Sequence, residues 1–170
     1  MIGTIPDIWH PMHKMEKTYA ILCHSVMMFL SEKTREAIIS TMYAYASAYS
    51  RMDVNGVMEL MAPEVMAIGS GEDEWLEGRE QVQAGTERDF SECETVSIEY
   101  GDLRIAADGI IAWVATPFEI TAIAGGRMQV FRGRLTAVLM DTWEGWRFVQ
   151  MHFSFPNADQ EEGRSFPVQG

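Results

Sequence analysis

The sequence predicts a single α+β domain in which helices come first and an antiparallel sheet follows. Apolar residues recur at helical spacing up to Phe90 and at alternating positions from Thr95 onward. Three glycine-containing pairs separate the later apolar stretches, as β-hairpin turns do: Asp108-Gly109, Gly125-Gly126 and Glu144-Gly145. Helices followed by hairpin strands are typical of the α+β class.

Three helices are predicted, over residues 34–52, over 54–61 and from Arg79 or Glu80 to Phe90. The first carries one apolar stripe, made of Ile38, Met42, Tyr45, Tyr49 and Met52. Asp53 fits the N-cap of the second helix because its carboxylate can accept from the amides of the first turn. The acidic stretch 72–77 is predicted as a loop whose Trp75 folds back onto the domain.

Five strands are predicted, over residues 65–68, 95–106, 110–122, 127–142 and 146–155. The domain then covers residues 31–156, between an N-terminal extension over 1–30 and a polar tail over 157–170. The apolar run 19–30 resembles the core of a signal peptide, but no small-x-small cleavage site follows it. A cytoplasmic location is therefore expected, with secretion as the alternative.

Composition excludes several classes of function. The formal net charge is -12, which repels nucleic acid and anionic membrane surfaces. There are two cysteines and no CxxC or Cys/His cluster, so no metal, cofactor or disulfide is predicted, and the thiols are expected to be free. Serine-nucleophile and phosphate-binding motifs are also absent from the sequence.

The hairpin turns predict which residues lie opposite each other in the sheet. The last turn places Thr136 opposite His152, Arg134 opposite Ser154, Val138 opposite Gln150 and Met140 opposite Phe148. The Gly125-Gly126 turn places Pro117, Ala115 and Trp113 opposite Arg134, Thr136 and Val138. Residues that lie directly opposite share a face of the sheet. In the first hairpin, a three-residue turn with Leu103 opposite Trp113 is preferred to a two-residue turn with Arg104 there.

Both faces of this sheet are rich in apolar residues. The face that does not hold Arg134 and His152 carries Leu135, Ala137, Leu139, Arg147, Val149, Met151 and Phe153. An antiparallel sheet with one wet face would alternate more strictly between apolar and polar residues. We therefore expect one face to cover the helices and the other to meet a second copy of the chain in a homodimer.

Several short motifs follow one another in a specific order. They are Met52-Asp53, Gly69-Ser70-Gly71, Glu77-Gly78-Arg79-Glu80, Asp108 through Val114, Gly133-Arg134-Leu135-Thr136 and Trp146 through Ser154. This order over residues 34–156 resembles the SnoaL-like proteins of the nuclear transport factor 2-like superfamily. The nearest branch resembles the association domain of calcium/calmodulin-dependent protein kinase II.

The resemblance implies a cone in which the N-terminal helices pack in a strongly curved antiparallel sheet, with a pocket at the open end and dimers formed through the sheet. Arg134 and His152 match the inward positions of the family, so the resemblance implies that they form a polar, catalytic floor of the pocket. The structural alternative is a hydrogen bond from His152 to Thr136 and an ion pair of Arg134 with Glu119.

The other predicted pocket residues are mostly aromatic. Those expected to contact a ligand are Tyr45, Tyr49, Trp75, Phe90, Trp113, Thr136, Gln150 and Ser154. The tyrosine hydroxyls could orient a substrate carbonyl, although core packing also explains each ring. No carboxylate is well placed as a general base, because Glu119 faces Arg132 as an ordinary ion pair and Asp102 is expected at the surface.

Three functions are compatible with these observations. The leading hypothesis is a homodimeric domain that binds a small, partly apolar molecule in the cone. The first alternative is an enzyme of isomerase, dehydratase or polyketide-cyclase type. The second is a non-catalytic oligomerisation domain whose cavity has no ligand. Fold alone does not choose among them.

Overall fold

A computed structural model describes residues 30–157, 160, 162 and 163. The predicted N-terminal extension and polar tail lie almost entirely outside these residues and remain predictions. None of the helices in the described part is long and apolar enough to cross a membrane.

Three helices are found in the described residues, in agreement with the sequence: α1 spans Glu32–Ser50, α2 Val54–Glu59 and α3 Gly78–Ser91. Ser31 begins α1, since its hydroxyl accepts a hydrogen bond from the amide of Thr34 at 3.0 Å. Asp53 begins α2 in the same way through the amide of Gly56 at 2.9 Å, so the predicted N-cap is confirmed.

Seven strands accompany the helices in this part of the chain. They are β1 Met61–Ile68, β2 Trp75–Glu77, β3 Thr95–Tyr100, β4 Arg104–Asp108, β5 Ile111–Ala124, β6 Arg127–Thr142 and β7 Gly145–Ser154. The predicted loop over 72–77 is partly wrong, because it contains β2. The predicted strand over 95–106 is interrupted after Tyr100. The next residue, Gly101, donates its amide to the Pro117 carbonyl at 2.9 Å, but Pro117 has no amide to donate in return, so the ladder breaks there.

The sheet has the order β2-β1-β7-β6-β5-β3, with β4 also paired to β5. The meander from β5 to β7 is antiparallel, as predicted. The sheet as a whole is mixed, because β1 runs parallel to β7. Sequence patterns did not reveal this pairing because no hairpin turn connects these two strands.

The predicted registers of the last two hairpins are confirmed over most of their length. Thr136 lies opposite His152, Arg134 opposite Ser154 and Ala115 opposite Thr136. The prediction for Met140 is wrong, since an irregularity after Val138 pairs Leu139 with Phe148 instead.

Both registers considered for the first hairpin are also wrong. Ala106 lies opposite Trp113, and Asp108 lies opposite Ile111. The two turn residues are therefore Gly109 and Ile110, one position later than expected. Gly109 has a positive φ of 57°, a conformation that glycine adopts without the steric cost of a side chain.

The helices cover one face of the sheet, which we call the inner face. On β6 and β7 this face carries Leu135, Ala137, Leu139, Phe148 and Met151, each 2% exposed or less. α1 packs against β3 and β7, and α3 packs against β1. The opposite side, the outer face, carries Trp113, Arg134, Thr136 and His152, all of which are exposed. The prediction that the Arg134 and His152 face points inward is therefore wrong.

Candidate functional site

A cavity of about 410 Å³ lies between α1, α3 and the inner face of the sheet. Aromatic rings line much of it, from Tyr45 and Tyr49 on α1 to Phe131 on β6 and Phe153 and Phe155 at the end of β7. Cavities of this size hold small organic ligands, and such sites combine apolar walls with a few polar groups.

Asp89 is the acid in the interior of this cavity. On α3 it follows Val82 and Thr86 at helical spacing, and all three residues line the cavity. The Tyr49 hydroxyl donates a hydrogen bond to Asp89 Oδ2 at 2.8 Å. α1 and α3 thus bring a phenol and a carboxylate together across the cavity wall.

Burial raises the pKa of the Asp89 carboxyl above its ordinary value. The Tyr49 hydrogen bond and Arg88 lower that pKa, whereas the nearby carboxylates of Glu74 and Glu92 raise it further. A carboxyl with a raised pKa, held in a cavity, is a stronger base than an ordinary carboxylate and is suited to accept and return a proton.

Tyr45 extends this polar region, and Tyr100 lies near Tyr45 but outside the cavity lining. Tyr45 is only 6% exposed and lines the cavity, and among the described residues its hydroxyl has no hydrogen-bond partner. Burial raises the pKa of Tyr45, and the charge of Asp89 adds to the effect. The Tyr100 hydroxyl is buried and also lacks a partner in the described part of the chain. Burial raises the pKa of Tyr100 as well.

The rim of the cavity holds charged residues. Arg88 is the arginine of the lining, and it donates to Asp73 at 3.2 Å and to Glu74 at 2.9 Å. Glu74 also accepts from the amide of Gly71 at 2.8 Å, which fixes the loop between β1 and β2. Ser70 and Glu92 line the cavity and are exposed, so the cavity reaches solvent.

Only part of the predicted site lies at this cavity. Tyr45 and Tyr49 line it, as expected. Phe90 lies behind the lining, where its ring packs edge-on against Tyr49 with centroids 4.8 Å apart. Trp75 is 58% exposed, so the prediction that it folds back onto the domain is wrong. Its indole donates to Glu77 at 3.1 Å instead.

The remaining predicted residues lie together on the outer face, away from the cavity. They are Trp113, Arg134, Thr136, Gln150, His152 and Ser154. The register grouped them correctly, but register does not decide which face the helices cover. The helices cover the more uniformly apolar face. Burying Leu135 and Ala137 there removes no charge from water, whereas covering the other face would bury the charge of Arg134.

The predicted ion pair between the sheet acid and its cross-strand arginine is confirmed, since Arg132 Nε donates to Glu119 Oε2 at 2.7 Å. Glu119 does not neutralise Arg134, and Asp102 is exposed as predicted. No group of three or more His, Cys, Asp and Glu side chains in the described residues could hold a metal ion.

Sequence reasoning missed Asp89, the acid for which it had searched the sheet. The signal was present in the spacing of Val82, Thr86, Asp89 and Cys93, which lie four, three and four residues apart. A helical stripe that includes one acid among small and apolar residues places that acid on the covered side of the helix.

The fold and the cavity define an α+β protein with a ligand-sized cavity on one side of its sheet, between the sheet and the helices. The family model for the SnoaL-like domain matches residues 38–158, so the chain belongs to the SnoaL-like domain family. No curated protein sequence matches the chain.

Solved structures agree with this assignment and identify the nuclear transport factor 2-like fold. A nuclear transport factor 2-like family protein from Streptomyces avermitilis is 19% identical with a TM-score of 0.71, covering 75% of this chain and 100% of its own. A superfamily protein from Salmonella enterica serovar Typhimurium is 20% identical with a TM-score of 0.69, covering 77% and 96%. A protein from Novosphingobium aromaticivorans with a cystatin-like fold is 14% identical with a TM-score of 0.64, covering 92% and 94%.

Proposed function

We propose that this SnoaL-like domain binds a small, partly apolar molecule in the cavity between α1, α3 and the inner face. The observation that carries the proposal is the hydrogen bond from Tyr49 to Asp89 inside the cavity. A half-buried carboxyl costs stability unless something is gained from its position. Its place among aromatic rings supports ligand recognition.

A thermal-shift screen of small aromatic compounds tests this proposal. Ala122 on β5 lines the cavity, and Ala122→Phe is expected to fill part of it and abolish the ligand-induced rise in Tm. Arg134→Ala and His152→Ala serve as outer-face variants and are expected to keep that rise. Ligand shifts that survive Ala122→Phe but disappear in the outer-face variants would move the binding site to the outer face.

The proposal includes a homodimer formed through the outer face. Trp113 is 48% exposed there, beside Val138, which lies directly opposite it. Apolar exposure of this kind on a sheet face favours a protein partner. The outer-face residues Arg134 and His152 would then contribute to the interface and not to a pocket floor.

Light scattering after size-exclusion chromatography tests the dimer. We expect the parent chain to have twice the monomer mass of 19.2 kDa, and Trp113→Asp to have the monomer mass. Trp143→Asp is the matched control, because Trp143 is 92% exposed in the turn between β6 and β7, outside the outer face. A monomeric parent chain would overturn the dimer and leave the cavity proposal untouched.

A second candidate is an enzyme of isomerase, dehydratase or polyketide-cyclase type, with Asp89 as the general base. It is favoured by the raised pKa of Asp89 and by the phenol of Tyr49 beside it. The ring opening of 5-nitrobenzisoxazole reports such a base directly. The carboxylate takes the proton from carbon, the N–O bond breaks, and a nitrile with a coloured phenolate forms.

We expect the parent chain to open this ring with saturation kinetics, and Asp89→Asn to lower kcat/KM about a hundredfold. His152→Ala is expected to keep the parent rate. Equal rates in the parent and Asp89→Asn would remove the enzyme candidate.

The assembly alternative is less favoured, because the cavity contains polar groups that lack partners. The kinase association-domain branch and the cytoplasmic location stay predictions.

A further inference from the structure

The charges that line the cavity are unequal in number. Glu74, Asp89 and Glu92 line it, and among the described residues of the lining Arg88 is the arginine and there is no lysine. Both terminal nitrogens of Arg88 are already engaged, one with Asp73 and one with Glu74. The described part of the lining therefore offers no unpaired cation to bind an anionic group, and its net negative charge favours a positively charged group.

Asp89 is an acid without an ion-pair partner among the described residues. Its Oδ2 accepts from Tyr49 at 2.8 Å, and its Oδ1 has no partner in the described part of the chain. Tyr45, one helical turn before Tyr49, is 6% exposed, lines the same cavity and has an equally free hydroxyl. Two unmet hydrogen-bonding groups thus lie in one cavity, and both oxygens can accept a hydrogen bond.

Aromatic rings complete these surroundings. Phe131, Phe153 and Phe155 line the cavity together with the two tyrosines. The faces of aromatic rings attract cations through their quadrupole, and this attraction grows when the cation is removed from water. A carboxylate within a set of aromatic rings is therefore suited to a positively charged group that carries an apolar body.

We propose that the cavity binds an organic ammonium compound, whose protonated amine donates to Asp89 and Tyr45 while its apolar body packs against Phe153 and Phe155. This inference rests on the proposed ligand-binding function and adds the chemical class of the ligand. A carboxylate or phosphate of the same shape is repelled by Asp89, Glu74 and Glu92. A neutral alcohol of the same shape keeps the apolar contacts but loses the charge interaction.

Three probes of one shape separate these cases: 2-naphthylmethylamine, 2-naphthylmethanol and 2-naphthoate. We expect isothermal titration calorimetry on the full chain to give a Kd for the amine at least about tenfold below that of the alcohol, since hydrogen bonds to charged groups are the stronger ones. The naphthoate is expected to bind more weakly than either of the other two probes.

Asp89→Asn is expected to bring the amine and the alcohol to within about twofold of each other, because it removes the charge and keeps the shape. Glu87→Gln is the matched control, since Glu87 lies exposed on the same helix and bonds Gln83 outside the cavity. This control is expected to keep the preference for the amine. An unchanged alcohol affinity in Asp89→Asn verifies that the variant is folded.

Proton exchange gives a second readout that needs no variant. Titratable and charged groups from three parts of the chain surround Asp89. They are Tyr45 and Tyr49 from α1, Glu74 from the loop after β1, and Arg88, Glu92 and Cys93 around the end of α3. Because burial raises the pKa of Asp89, an ammonium bound there draws the carboxyl into its ionised form. Calorimetry in two buffers at mildly acidic pH is expected to detect proton release with the amine and none with the alcohol.

The outcomes separate this inference from the function on which it rests. An alcohol that binds as tightly as the amine, or an amine preference that survives Asp89→Asn, overturns the ammonium assignment and leaves the binding cavity in place. Absence of binding by all three probes removes the proposed function as well. A preference for the amine that is lost in Asp89→Asn and kept in Glu87→Gln establishes the ammonium assignment.

Discussion

The inner and outer faces of the sheet alternate along the same strands, yet they have different surroundings. Leu135 is 1% exposed on the inner face, while its neighbours Arg134 and Thr136 are exposed on the outer face. The inner face meets α1, α3 and the cavity, where the helices hold Tyr45, Tyr49 and Asp89, whose pKa values burial raises. The outer face holds the ion pair of Arg132 and Glu119, which is in contact with water. The same hairpin register therefore produces a candidate site on one side and a candidate interface on the other.

The largest effect is expected from truncating the inner face. Leu135→Ala removes a buried side chain and leaves a cavity, which costs about 2–5 kcal/mol in the free energy of unfolding. Thr136→Ala, one residue along on the outer face, is expected to change it by less than about 0.5 kcal/mol. Urea unfolding compares the two, and similar losses would show that both faces are covered equally.

A smaller effect is expected from adding one methyl group to the inner face at Gly133. A Cβ there would lie 2.6 Å from both the Phe118 ring and the Ser154 carbonyl oxygen. Gly133→Ala is therefore expected to cost about 1–3 kcal/mol through overpacking. Thermal and urea unfolding measure this loss, and a variant as stable as the parent would mean that β7 can move away without cost.

Asp89 is expected to alter how the stability of the folded chain depends on pH. Burial raises the pKa of Asp89 in the folded chain above its ordinary value of 3.8, so the folded state binds this proton more tightly than the unfolded state. The contribution of Asp89 to stability therefore falls as pH rises from the unfolded pKa through the raised folded pKa.

Asp89→Asn is expected to lose less stability than the parent across that pH window, measured by urea unfolding at several pH values. Tyr49→Phe is expected to have the opposite effect on this pH dependence, because the Tyr49 hydrogen bond lowers the pKa of Asp89 and its loss raises that pKa further. The stability of Tyr49→Phe is therefore expected to continue falling to higher pH than the stability of the parent. Parallel curves for the parent and Asp89→Asn would contradict the coupling.

The smallest effect is expected from the ion pair on the outer face. Arg132 and Glu119 are joined at 2.7 Å, with 76% and 37% of their side chains exposed. A double-mutant cycle with Arg132→Ala and Glu119→Ala is expected to give a coupling of about 0.2–1 kcal/mol that declines with added salt. A larger coupling without salt dependence would indicate that a partner covers this part of the outer face.

Local patterns predicted much of the fold. The Asp53 N-cap, the stripe of Ile38, Met42, Tyr45 and Tyr49, and the turn at Gly125-Gly126 were all read correctly. Each depends on residues a few positions apart, whose spacing fixes a helix face or a hairpin register. The errors arose where a local pattern is ambiguous, as at Gly109, where a shift of one residue changes every partner in the hairpin.

The candidate site was predicted only in part, and the errors at Arg134 and His152 and at Asp89 have one cause. His152 and Arg134 were grouped on one face correctly, but the choice of face depends on where α1 and α3 pack. Asp89 was missed because its role depends on Tyr49, which is 40 residues away along the chain. Side chains from distant elements meet only when the helices cover the sheet.

The sequence by itself determined the helices, most of the strands and the pairs of residues that share a face, since local spacing and turn chemistry fix them. Only the tertiary structure decided which face is buried, that β1 runs parallel to β7, and that Asp89 meets Tyr49 in a cavity. The physical reason is that burial is a collective property: helices cover the face whose side chains cost least to remove from water, and that comparison involves the whole sheet at once.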